Sequence, residues 1–79
     1  MSVLAQGVKA AAAWHKEGKI YVRLVDGREL SFPVSVNPLL RGATHEQLNR
    51  IEISPCGLHW PELDEDLSMQ GIMESRYSR

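Results

Sequence analysis

Disulfides are absent as a source of stiffness, because the chain holds one cysteine, Cys56. A lone thiol fits a reducing compartment. Neither sign of charge dominates: nine Lys and Arg face ten Asp and Glu, for a formal charge of −1. A dedicated nucleic-acid binder carries a concentrated basic excess, so direct nucleic-acid binding is not expected, and no spacing here demands a local basic patch. Long apolar runs are also missing; none approaches the ~20 residues of a membrane-spanning helix. Met1–Gln6 lacks the charged flank and apolar core of a signal peptide, so the cytoplasm is the expected compartment. What is present is a globular composition, 43% hydrophobic and 24% charged, which separates the chain from disordered segments. At 79 residues it makes a single domain, residues 1–79, that buries only about 60% of its unfolded surface. Residues 1–7 and 74–79 are expected to be flexible ends.

Val8 to His15 carries two competing signals. Its four alanines favour a helix, while Val8, Ala10, Ala12 and Trp14 share one face at period two. The polar Lys16-Glu17-Gly18-Lys19 turn that follows leads directly into a strand, which tips the expectation to strand. Lys19 to Val34 is a hairpin in which Ile20, Val22, Leu24, Leu30, Phe32 and Val34 are all even-numbered. A two-residue Asp26-Gly27 turn would set Leu24 opposite Glu29 and mix the faces. A three-residue loop, Val25-Asp26-Gly27, with Gly27 left-handed sets Val22 opposite Leu30 and keeps the apolar set together. Pro33 then belongs at a strand end or an edge.

Asn37-Pro38-Leu39-Leu40-Arg41-Gly42 has proline early and glycine at its stop, the pattern of one helical turn. Thr44 with Gln47 forms a capping box that opens a helix over His45 to Arg50, with Leu48 inward. Ile51 to Ser54 and Leu58 to Trp60 are expected strands around a Pro55-Cys56-Gly57 turn, and Pro61 ends the second. Asp64 or Asp66 is then expected to cap a last helix through Met73. The expected fold is α+β: a small antiparallel sheet of about five short strands, with two or three short helices on one face.

Chemistry concentrates in Leu58 to Ser68. Glu62, Asp64, Glu65 and Asp66 lack the glycine and distal glutamate of a calcium loop, and a solvated acidic turn near a helix N-terminus accounts for them. His59 and Trp60 alternate across a strand. Trp60 belongs in the core with its N–H on a carbonyl or carboxylate, leaving His59 to solvent or to the acidic turn. His59 is a residue type for a general base, but no nucleophile stands in a telling relation to it. Cys56 would need a neighbouring base to become a reactive thiolate, and only His59 lies within reach of that turn. His15 and His45 show no ligand spacing with each other or with Cys56. Tyr21, Arg23 and Arg28 project from the hairpin's other face or its loop, where an aromatic among arginines can stack on a base or simply snorkel.

Asp26-Gly27-Arg28-Glu29-Leu30-Ser31-Phe32-Pro33, followed by Leu58-His59-Trp60-Pro61-Glu62-Leu63-Asp64-Glu65-Asp66-Leu67-Ser68, resembles domain-of-unknown-function family 2442. The resemblance runs from about Val8 to Met73. It implies a compact α+β fold in a small cytoplasmic bacterial or phage protein, often encoded beside toxin–antitoxin-type genes. Some members are fused to a helix-turn-helix domain, which this chain does not show. Val36-Asn37-Pro38-Leu39-Leu40 stands where members often carry an aromatic-proline-arginine-leucine run. The family transfers no catalytic residues.

The expected function is therefore a non-enzymatic protein-interaction module, an antitoxin-like or regulatory partner without cofactor or metal. His59, Glu62, Asp64, Glu65 and Asp66 would face a basic patch on another protein, such as a neighbouring gene's product. Tyr21, Arg23 and Arg28 form a secondary candidate surface. Two alternatives are a phage-encoded inhibitor that fills a nucleic-acid groove with the acidic turn, and a small metal-dependent or cysteine hydrolase. Unpaired sheet edges make a homodimer plausible.

Overall fold

The computed structural model describes residues 9–77. Three strands, β1 (Ala10–Lys16), β2 (Lys19–Leu24) and β3 (Glu29–Pro33), form one antiparallel sheet in chain order. The β1–β2 turn holds Glu17 and Gly18 at φ 51° and 80°, the left-handed pair that matches strand twist in a two-residue hairpin. The β2–β3 loop is the expected three-residue one. Gly27 sits at φ 94°, Leu24 N–H donates to the Arg28 carbonyl at 2.7 Å, and Val22 lies opposite Leu30. Ile20, Val22, Leu24 and Phe32 are consequently buried.

β1 is a strand despite its alanines, because pairing with β2 outweighs a weak helix propensity. Its predicted single face does not survive. Ala10 pairs with Leu24 but Ala12 pairs with Arg23, so the extra residue of a bulge reverses the alternation. Ala10 stays buried, whereas Trp14 turns to the outer face opposite Tyr21. Alanine side chains offer little bulk to resist that shift. Val8 lies outside the described residues.

A 3-10 turn (Val34–Val36) leads into α1 (Pro38–Arg41), capped by Asn37, whose Oδ1 accepts from Leu39 N–H and Leu40 N–H. α2 (His45–Asn49) starts with both bonds of the Thr44–Gln47 capping box and buries Leu48. β4 (Glu52–Ser54), β5 (Gly57–Trp60) and β6 (Glu65–Ser68) build a second antiparallel sheet. α3 (Met69–Met73) follows, capped by Ser68 Oγ accepting from Gly71 N–H. The α+β class holds, with six strands among the described residues shared between two sheets rather than about five in one.

The acidic run is not a helix start. Glu65 and Leu67 alternate inward, opposite Trp60 and Leu58, and β5 supplies the backbone partners that a strand needs. Asp64 takes φ 52° in the preceding turn. Helix capping falls instead to Ser68. Gly57 is required for the pairing: a Cβ there would overlap the Leu67 carbonyl oxygen and come within 2.9 Å of Ser68 Cα.

One apolar cluster joins the inner faces of both sheets, and Leu40, Leu48, Met69 and Ile72 from the helices complete it. Trp60 is fully buried, and its Nε1–H donates to the Leu48 carbonyl at 3.0 Å, as the sequence suggested. The C-terminal segment, expected to be loose from Glu74, is held through Tyr77, whose ring stacks on Phe32 at 4.5 Å. Residues 1–7 and 78–79 lie outside the described residues.

Candidate functional site

The outer face of the β4–β6 sheet places Glu52, His59 and Asp66 side by side, since His59 is paired directly with both. His59 Nδ1–H donates to Asp66 Oδ1 at 2.6 Å. In the neutral ring this leaves Nε2 as an acceptor. The neighbouring row contains Ser54, Gly57 and Ser68. Without a side chain at Gly57 the surface dips into a shallow groove of about 200 Å³, flanked by Cys56, His59 and Asp66. Ser54 Oγ accepts from Cys56 N–H and Gly57 N–H, which shapes the turn and leaves Cys56 exposed.

An oriented imidazole beside carboxylates can receive the donors of a lysine or arginine. It is also two-thirds of a nucleophilic set. Among the described residues no hydroxyl or thiol bonds to His59 Nε2, and no three His, Cys, Asp or Glu side chains converge to hold a metal.

The other members of the predicted acidic surface separate. Glu62 pairs with Arg50 at 2.5 Å, tying the β5–β6 loop to the end of α2. Asp64 is exposed on that loop. Glu65, predicted to face a partner, is 2% exposed and belongs to the interior. Its Oε2 accepts from Asn37 Nδ2 at 2.8 Å and its Oε1 accepts from Asp66 N–H at 2.9 Å. The period-two alternation of β6 requires this inward position once Asp66 faces out. Asn37, itself fully buried, also donates through Nδ2 to the Tyr77 carbonyl. One side chain thus caps α1, holds β6 and anchors the C-terminal segment. Its cap was legible before proline; its distant partners were not.

The secondary surface also divides. Tyr21 and Arg23 stand on the outer face of the first sheet, where Trp14 joins them. Arg28 sits apart at the hairpin tip, bound to Asp26 at 2.8 Å. The Arg28 backbone N–H chiefly, with its guanidinium, holds the Asp26 carboxyl below its ordinary value.

Sequence spacing also missed a histidine cluster. His15 Nδ1 lies 2.8 Å from His45 Nδ1. Asn49 Oδ1 accepts from His15 N–H, and Gly18 N–H donates to His15 Nε2. The neutral rings therefore place the shared proton on His15 Nδ1, so His45 Nδ1 accepts. Burial first, then the charge of His45, lowers the His15 pKa.

This small α+β fold with two three-stranded sheets is that of a defined protein family. The profile of the family described as "Protein of unknown function (DUF2442)" matches residues 10–78, and the chain belongs to that family. The crystal structure of a protein of unknown function from Rhodospirillum rubrum is similar, with 34% identity and a TM-score of 0.82, over 91% of this chain and 92% of the other. The solution NMR structure of an uncharacterized protein from Chromobacterium violaceum is similar as well. There the identity is 35% and the TM-score 0.79, over 90% of this chain and 69% of the other. No match was found among curated proteins. No helix among the described residues is long and apolar enough to cross a membrane.

Proposed function

We propose that this protein is a non-enzymatic interaction module, an antitoxin-like or regulatory partner that docks a basic patch of another cytoplasmic protein on the outer face of its β4–β6 sheet. The observation that carries this reading is the row Glu52–His59–Asp66, in which two carboxylates flank an imidazole on one solvent-facing surface. Asp64 extends the negative charge along the adjoining loop. Such one-signed faces steer encounter and set salt dependence more than they add affinity. The exposed row also lets its charges change without cutting into the core.

The test is a binding titration against the product of the neighbouring gene, with Asp64→Lys/Asp66→Lys beside the unaltered chain. The association rate should fall about tenfold or more at low salt, with far-UV circular dichroism unchanged. An association rate and Kd unaffected by the double reversal would remove the proposal.

A further inference from the structure

We infer that the outer face of the β1–β3 sheet is a stacking platform for single-stranded nucleic acid, on a surface separate from the acidic row. Direct pairing fixes which side chains share that face: Ala12, Trp14 and Lys16 from β1; Lys19, Tyr21 and Arg23 from β2; Glu29, Ser31 and Pro33 from β3. The Trp14 and Tyr21 rings lie 5.7 Å apart and within 8° of parallel. The Arg23 guanidinium sits 5.4 Å from the centre of the Trp14 ring. Phe32, Trp60 and Tyr77 belong to or pack on the core, whereas Trp14 and Tyr21 do not.

The β1 bulge explains how a large aromatic comes to be outside. Without the extra residue, Trp14 would share the inner face with Ala10. Bulges commonly re-aim a side chain in this way, here giving up the burial of a tryptophan. The chain's formal charge of −1 conceals the local balance. This face carries Lys16, Lys19 and Arg23 against the single carboxylate of Glu29, while the row on the other sheet carries Glu52 and Asp66.

Parallel rings beside several cations match a polynucleotide, because each nucleotide brings both a π face and a phosphate. A proline-rich peptide would use the rings and leave the cations idle. An acidic peptide would do the reverse. The Trp14 and Tyr21 rings are stacked on each other, with Arg23 over Trp14. A base therefore extends that stack at a remaining open ring face, rather than one base sitting on each ring, with the cations along the neighbouring phosphates.

The experiment follows the anisotropy of fluorescein-labelled oligouridylate and oligodeoxythymidylate, each of about eight nucleotides, against the full chain at about 50 mM salt. Saturable binding is expected. Three phosphate contacts at about −0.7 each give a log–log salt slope of about −2. Trp14→Ala and Tyr21→Ala should each weaken binding about tenfold, with melting temperature nearly unchanged, and Trp14→Phe should retain most of it. Binding to one sugar or to both supports the inference and identifies the source. Absence of saturation, indifference to Trp14→Ala, or tighter binding of a polyproline or polyglutamate peptide would overturn it. Loss of partner docking in Asp64→Lys/Asp66→Lys leaves this readout untouched, so the two ideas fail separately.

Discussion

The two sheets solve the same problem differently. The first is built from neighbours in sequence: a two-residue left-handed turn, a three-residue loop closed by Gly27, and an apolar even-numbered face. The second has strands of only three or four residues. It depends on distant partners: β5 closes on β6 because Gly57 has no side chain, Trp60 is tied to Leu48, and Glu65 is held by Asn37. Their solvent faces differ as well, aromatic and basic on one, acidic around an imidazole on the other. Local pattern is enough for long hairpins; short strands need tertiary contacts to specify them.

The sharpest way to break that contrast is Asn37→Ala. It removes the cap of α1 and takes one hydrogen bond each from the buried Glu65 carboxylate and the Tyr77 carbonyl, for an expected loss of about 3 kcal/mol in urea unfolding. In a cycle with Glu65→Gln the two losses should sum to more than the double variant's, since they share a bond. A loss below about 1 kcal/mol would mean that the second sheet stands without this link. A smaller effect compares two glycines. Gly57→Ala meets backbone and should cost about 2 kcal/mol. Gly18→Ala, at φ 80° with open space around it, should cost about 1 kcal/mol through backbone strain alone. Equal costs would erase the distinction between a steric and a conformational requirement.

The subtlest prediction concerns pH at the junction of β1 with α2. His15 has a folded pKa below its ordinary 6.5, so the unfolded chain binds more protons and stability rises with pH. This contribution is full above about 6.5 and is lost as pH falls through the lowered folded value. Urea midpoints should therefore drop between about pH 7.5 and pH 5. In His45→Gln the part of that drop due to His15 should shrink without vanishing, because burial, the larger cause, remains. A pH profile unchanged by His45→Gln would show that the two rings do not communicate.

Much of this fold was legible in the chain itself. The alternation from Ile20 to Phe32, the Thr44–Gln47 box and the place of Trp60 all follow from periodicity and capping chemistry that act within a few residues. The acidic stretch was not legible in the same way. Four carboxylates in five positions suggest a solvated helix start, yet β5 offers backbone partners to this segment and β6 pairs instead, turning Glu65 inward. Of the predicted docking residues, His59 and Asp66 do meet, Asp64 stays exposed, and Glu62 is engaged by Arg50. His15 and His45 lie thirty residues apart, a distance over which spacing carries no signal.

By itself the sequence determined the α+β class, the family, the first hairpin's register and the Thr44–Gln47 helix cap, because each rests on short-range geometry or on an ordered motif. Only the tertiary structure decided that Trp14 faces outward, that Glu65 is interior and that two histidines touch. A bulge or a long-range pairing shifts parity by one residue, and one residue is enough to exchange the two faces of a strand.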